Sequence, residues 1–227
     1  MQTFRHWIGL GAVASSLLSG CTSTPSTNIK STGIDARFSV DGANGAAIVA
    51  ASATFKVGAT YLDLQGGDEA YCEGVRMSGT SVIGAITYSA TIPRKPTGES
   101  YTFELRRPGE SPYVGTVVQL DTVSISSPAN AATVSGAAPG SVTWNAGTRG
   151  SVDVSINGNC IFKQNTTLAA DSTTYAFKNL DFTDSKNTSC DGTIEVIRND
   201  KGTGPSGLSS STVTLSERGT LQVKITP

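Results

Sequence analysis

The chain has 227 residues, with 17 Lys and Arg against 18 Asp and Glu. This near-neutral balance leaves no basic footprint and so gives no electrostatic case for nucleic acid. The sole histidine, His6, lies near the N-terminus, so the body of the chain cannot build a Ser-His-Asp triad, a Cys-His dyad or a His-ligated metal site.

In chain order the first element is a leader. Arg5 precedes an apolar run from Trp7 to Leu18, and the small residues Ser19 and Gly20 follow. A basic start, about 7–15 apolar residues and small residues at the cut are the layout of a secretory signal peptide. The run is too short to span a bilayer, which takes about 20 residues. Ala12-Val13-Ala14 offers a rival cut but leaves too few apolar residues ahead of it. Leu18-Ser19-Gly20-Cys21 resembles the lipobox of bacterial lipoproteins. That resemblance implies a signal peptide at residues 1–20, cleavage before Cys21, and acylation of the Cys21 thiol and often of the new amine. One acyl chain holds a protein only marginally, whereas two or three hold it essentially permanently. Thr22 follows the cysteine. Within the resemblance a residue other than Asp there favours the outer membrane, with the leaflet left open.

Residues 22–33 are rich in Ser and Thr and poor in apolar groups. They read as part of a flexible, lipidated tether over residues 21–35. After it the pattern is β throughout. Leu62 and Leu64 flank Asp63; Tyr101, Phe103 and Leu105 alternate with polar residues; so do Val152, Val154 and Ile156, and Leu221, Val223 and Ile225. Period-two alternation bounded by turn residues marks half-buried strands. The breaks fall at Gly66-Gly67-Asp68, Pro108-Gly109, Asn157-Gly158 and Gly202–Pro205. Asn157-Gly158 predicts a type I′ hairpin, with Val152–Ile156 pairing against Asn159–Gln164 and Val154 facing Ile161.

Thr102–Arg106 with Val117–Leu120, and Thr193–Arg198 with Leu221–Ile225, form a faint repeat about 90 residues apart, near the length of an Ig-like domain. The expected fold is therefore all-β: two tandem Ig-like β-sandwiches, at residues 36–120 and 121–227, with Val123–Pro128 opening the second. A single large β-structure is the alternative. Gly66-Gly67-Asp68, the strand Tyr101–Arg106 running into Arg107–Glu110, Ser126-Ser127-Pro128, and the late Cys160 and Cys190 occur in that order. With the lipobox, this set resembles the two-domain β-sandwich lipoproteins of Gram-negative bacteria. It implies an Ig-like fold and an envelope location, and no activity.

Cys72, Cys160 and Cys190 lie in the body of the chain without CxxC spacing, so no redox or metal motif is indicated. Cys160 and Cys190 fall in one half and are the expected disulfide; Cys72 would have to cross domains to compete. On a regular hairpin the bridge would pin the Lys163–Ser189 excursion to the outside of the sheet. Cys72 lies between Glu69 and Glu73 and lacks a nearby cation to activate it, so it reads as buried and inert.

Asp68, Glu69 and Glu73 are the carboxylates open to glycoside chemistry, although acidic residues on turns and strands are more often solvated. Asp181, Asp184, Asn187 and Asp191 offer oxygen ligands without EF-hand spacing, so no metal site is assigned. Arg94-Lys95 and Arg106-Arg107 suit an anionic glycan or lipid head group, or simply protect strand edges. Trp144 reads as core, and Tyr101 as a tyrosine corner. The resulting expectation is an outer-membrane lipoprotein held by lipid on Cys21. It acts as a non-enzymatic binding or structural module with no catalytic residue and no cofactor. Its expected partner is an envelope or extracellular protein or glycan. The alternative is an envelope carbohydrate-active enzyme using carboxylates.

Overall fold

The computed structural model describes residues 23–183 and 189–227; the leader, Cys21 and the boundary at residue 20 lie outside them. The first half carries β1 (Ser23–Pro25), β2 (Asp35–Ala43), β3 (Ile48–Val57), β4 (Thr60–Asp63) and β5 (Glu69–Cys72). It continues with β6 (Val75–Arg76), β7 (Ser78–Val82), β8 (Ala85–Pro93), β9 (Ser100–Arg106) and β10 (Tyr113–Val118). The second half carries β11 (Ile125–Ser127), β12 (Ala132–Ser135), β13 (Ser141–Trp144) and β14 (Ser151–Gly158). β15 (Ile161–Ala169), β16 (Thr174–Ala176), β17 (Cys190–Lys201) and β18 (Ser210–Thr226) complete it.

The strands enclose two apolar cores, which makes the chain two tandem Ig-like sandwiches, as its alternation predicts. In the first, β8, β3, β2 and the start of β18 face the sheet β10-β9-β5-β6. Phe38, Phe55 and Phe103 centre this core, with ring centroids 5.6 Å (Phe38–Phe55) and 5.0 Å (Phe38–Phe103) apart. In the second, β15, β14, β17 and the end of β18 face the sheet β11-β13-β16. Val152, Val154 and Ile156 are buried there with Ile194, Val196, Leu221, Val223 and Ile225. Trp144 belongs to the same core.

β18 joins the two. Its first nine residues pair in parallel with β2, from Ser210↔Asp35 to Arg218↔Ala43. Its remainder continues the antiparallel ladder with β17 up to Cys190↔Ile225. Val213 and Leu215 therefore lie in the first core, and Leu221, Val223 and Ile225 in the second. A cut near Leu120–Asp121 does not separate the cores, because the first sandwich takes part of its sheet from residues 210–218. Parallel pairing across more than 170 residues leaves no local trace in sequence.

Two further expectations need correcting. Residues 23–35 do not form a free tether. β1 pairs in parallel with β4, Ser23↔Tyr61 through Pro25↔Asp63, and Ser26 and Ser31 are buried. The Asn157-Gly158 turn is also displaced. Both residues lie within β14, where Asn157 pairs with Thr193, and Val154 faces Thr166 instead of Ile161. The hairpin loop is Asn159-Cys160, reached through a register shift between Ile156 and Gly158. Gly158 serves close approach instead of a turn: a Cβ there would stand 3.1 Å from the Asp191 carbonyl oxygen and 3.2 Å from the Cys190 sulfur.

Candidate functional site

Cys160 and Cys190 form the expected disulfide, with Cα atoms 5.9 Å apart. Its setting differs from the expectation. Cys160 is buried among the second core's apolar residues, with Cys190 packed against them, because the shifted loop turns Cys160 inward. The excursion after β15 crosses to the opposite sheet, where β16 pairs with β13, and Phe177 and Leu180 are buried beneath it. Cys72 is a free, buried thiol. Burial first, and then the Glu73 charge, push its pKa up to about 12, so it stays protonated and unreactive at neutral pH.

The predicted carboxylates are each taken up by a cation. Asp68 accepts from Arg107 Nε at 3.1 Å. Glu69 pairs with Arg76 at 3.0 Å and accepts from the Tyr71 hydroxyl. Glu73 pairs with Lys95 at 2.6 Å and accepts from the Thr102 amide. Engaged in this way, they stabilise β5 and its turns. Asp184 and Asn187 lie outside the described residues. Among the described residues, no group of three or more His, Cys, Asp or Glu is placed to hold a metal ion.

The two basic pairs do not build one anionic-ligand patch, because each sends an arginine inward. Arg107 is buried and donates to the Ser31 hydroxyl at 2.7 Å and to the Ser26 carbonyl at 3.1 Å, besides Asp68. This bonding clamps the N-terminal segment onto the first sandwich. Arg94 reaches the fully buried carboxylate of Glu217, which also accepts from Gln119 Nε2 at 2.5 Å. Gly42 makes room for this carboxylate, since a Cβ there would run into it. Across the ladder from Glu217, Arg198 is buried too. It turns to the carbonyls of Asp121, Thr122 and Asn145, and burial lowers its pKa. Tyr101 completes this polar waist between the cores. Its hydroxyl accepts from the Lys95 amide at 2.8 Å and donates to Gln119 at 2.7 Å, which is the bonding of a tyrosine corner.

The outer face of the joined sheet carries the open concavity of most interest. Two depressions of about 540 and 700 Å³ adjoin at Lys201 and Thr214. One is lined by Arg37, Ser39, Ser52 and Thr54, the other by Asp153, Thr167, Asn199 and Ser216. The hydroxyls and amides are already ordered. Ser39 and Ser52 bond at 2.7 Å, Ser216 donates to Asn199 at 2.7 Å, and Asn199 and Thr167 donate to Asp153 at 2.7 and 2.5 Å. Such a floor presents ordered hydrogen-bonding groups to the solvent side of the sheet. Its two carboxylates are both engaged: Asp153 accepts the two hydrogen bonds from Asn199 and Thr167, and Asp200 pairs with Arg149 at 3.2 Å and accepts from the Lys201 amide at 2.9 Å.

No protein-family model matches the chain. No curated protein matches it either. Among solved structures, it is similar to a crystal structure of DIP-gamma IG1+IG2. That match has 7% identity, covers 85% of this chain and 98% of that one, and has a TM-score of 0.22. It is also similar to Dpr11 IG1 bound to DIP-gamma IG+IG2, at 9% identity, 84% and 96% coverage and a TM-score of 0.22. At these TM-scores the superpositions are loose. The two-sandwich architecture rests on the cores and strand pairings described above.

Sequence reasoning missed the waist, the outer-face groove and the buried Arg107 clamp, all made by residues far apart in the chain. It also passed over the hairpin turn Ile83-Gly84. There a local signal was present: from Met77 to Pro93 no residue is charged.

Proposed function

We propose that the protein is an envelope lipoprotein of the outer membrane, anchored by acyl chains on Cys21 and acting as a non-enzymatic binding module. Leu18-Ser19-Gly20-Cys21 carries this reading through its resemblance to a lipobox, whose cysteine takes the lipid. The proposed partner is an envelope or extracellular protein or glycan, bound through polar groups such as those lining the outer-face groove. The carbohydrate-active alternative finds no support at Asp68, Glu69 and Glu73, each of which is bonded to a cation.

Acyl labelling of the wild type and of Cys21→Ala tests the anchor. Label on the wild type and none on the variant is the expected outcome; an unlabelled wild type overturns the reading. Protease treatment of intact and permeabilised cells then separates a surface-facing from a periplasm-facing protein.

A further inference from the structure

The first sandwich has one end at the waist and one end free. β4 starts at the free end, and β1 starts beside it with Ser23 opposite Tyr61. β2 and β18 also start there, with Asp35 opposite Lys56 and Ser210 opposite Asp35. β8 runs from Ala85 to Pro93, and Pro93 pairs with Ile48 at the waist side of β3. The β7–β8 turn is therefore directed to the free end, together with the entry of the chain.

That turn has two unusual properties. Val82 and Ile83 are 64% and 84% exposed, the two most exposed large apolar residues among those described. Ile83 also holds φ at +50°, a conformation that a β-branched residue adopts only at a cost. Asn is the residue favoured at this place in a type I′ turn. Exposure and strain at one apolar residue point to a purpose outside the fold. β7 is exposed along its whole length. No charge interrupts Met77–Pro93, so no ionised side chain on the hairpin resists transfer of its tip out of water.

We propose that the Val82-Ile83 tip enters the lipid surface that holds Cys21, so that the first sandwich stands end-on to the membrane and the second points away. The proposal rests on the lipid-anchor reading above. Only Thr22 separates Cys21 from β1, and two residues span at most about 7 Å. With β1 fixed to β4, the acyl chains enter the bilayer beside the free end, and the apolar tip at that end meets lipid. Lys56 lies over the Tyr61 ring at 4.2 Å on the same end. An aromatic ring and a cation suit the head-group level.

The test uses the full-length protein in its native membrane fraction, spin-labelled at Ile83→Cys, at Val82→Cys, and at Phe162→Cys on the second sandwich. Cys72 is buried, Cys160 and Cys190 are paired, and acylation converts the Cys21 thiol to a thioether, which leaves the introduced thiol as the reactive one in the lipidated chain. Power saturation compares access by oxygen with access by a water-soluble nickel chelate. Positions 82 and 83 are expected to show several-fold greater oxygen access and several-fold less nickel access than position 162. The mass of the acylated N-terminal peptide is read from the same preparation. Acyl on Cys21 with positions 82 and 83 as aqueous as 162 overturns the tip insertion and leaves the anchor standing. An unacylated Cys21 overturns the anchor and, with it, this proposal.

Discussion

At the waist the first sandwich buries the Arg94–Glu217 pair, and at the tip of its β7–β8 hairpin it exposes Val82 and Ile83. Val213, Leu215, Glu217, Gly219, Leu221, Val223 and Ile225 are the buried alternate positions of β18. Glu217 is the one charged residue among them, and it falls where the strand leaves one core for the other. A two-residue slip of β18 would preserve the in-out alternation but drive this carboxylate into an apolar core. A buried ion pair is weak evidence for stability, whereas register is among its best-attested uses. The hairpin tip has the reverse arrangement: Val82 and Ile83 contribute little to the core, and Ile83 adds strain to the turn. The comparison separates residues that specify the fold from residues the fold carries for another purpose.

The largest effect should come from breaking the waist. Arg94→Met leaves Glu217 buried with Gln119 as its remaining polar partner, and removing one member of a buried pair costs about 3–5 kcal/mol. Urea denaturation should show this loss, and the double variant Arg94→Met, Glu217→Gln should recover much of it. A loss below about 1 kcal/mol would put the waist pair in the weak class of solvent-exposed ion pairs and remove the contrast with the free end.

Much of this architecture is legible in the sequence because alternation is local. The inward faces of β9, β14 and the end of β18 and the buried Trp144 follow from period-two patterning, and the Tyr101 corner from its place at the head of a late strand. The Cys160–Cys190 bridge is likewise expected from two cysteines in one half. The tether is not, because Ser and Thr look the same whether solvated or used as partners. Ser26 and Ser31 are buried by Arg107, 81 and 76 positions away. The groove escapes for a similar reason: its lining comes from six strands that sequence alone does not align. Asn157-Gly158 misleads because the glycine answers to close packing against Asp191 and Cys190, not to positive φ.

A smaller effect of opposite sign tests the free end. Ile83→Asn keeps the turn and replaces a β-branched residue at φ +50° with one that tolerates this conformation. The left-handed region costs an ordinary residue about 1–2 kcal/mol, so the variant should gain about 1 kcal/mol in urea denaturation of the detergent-solubilised protein. An apolar residue retained against stability is what a surface used for contact predicts. A loss of stability instead would mean that Ile83 supports the sandwich, and the two ends would then differ less than their exposure suggests.

The smallest effect concerns the acid sensitivity of the N-terminal segment at the same end. Glu110 accepts from the Ser31 hydroxyl at 2.6 Å and from the Tyr113 hydroxyl. The Ser31 bond first and the Tyr113 bond second hold its pKa below the ordinary value. A carboxylate depressed in the folded state adds stability that is fully present above its unfolded pKa, about 4.3, and lost as pH falls through the folded one. Ser31→Ala should therefore raise the Glu110 pKa towards the ordinary value, and Tyr113→Phe should raise it less, as read by carboxyl NMR titration. Because Ser31 also accepts from Arg107, Ser31→Ala should in addition loosen residues 26–33, visible as faster amide exchange there than in Tyr113→Phe. Equal exchange in the two variants would mean that Arg107 holds the segment through Ser26 and Asp68 alone.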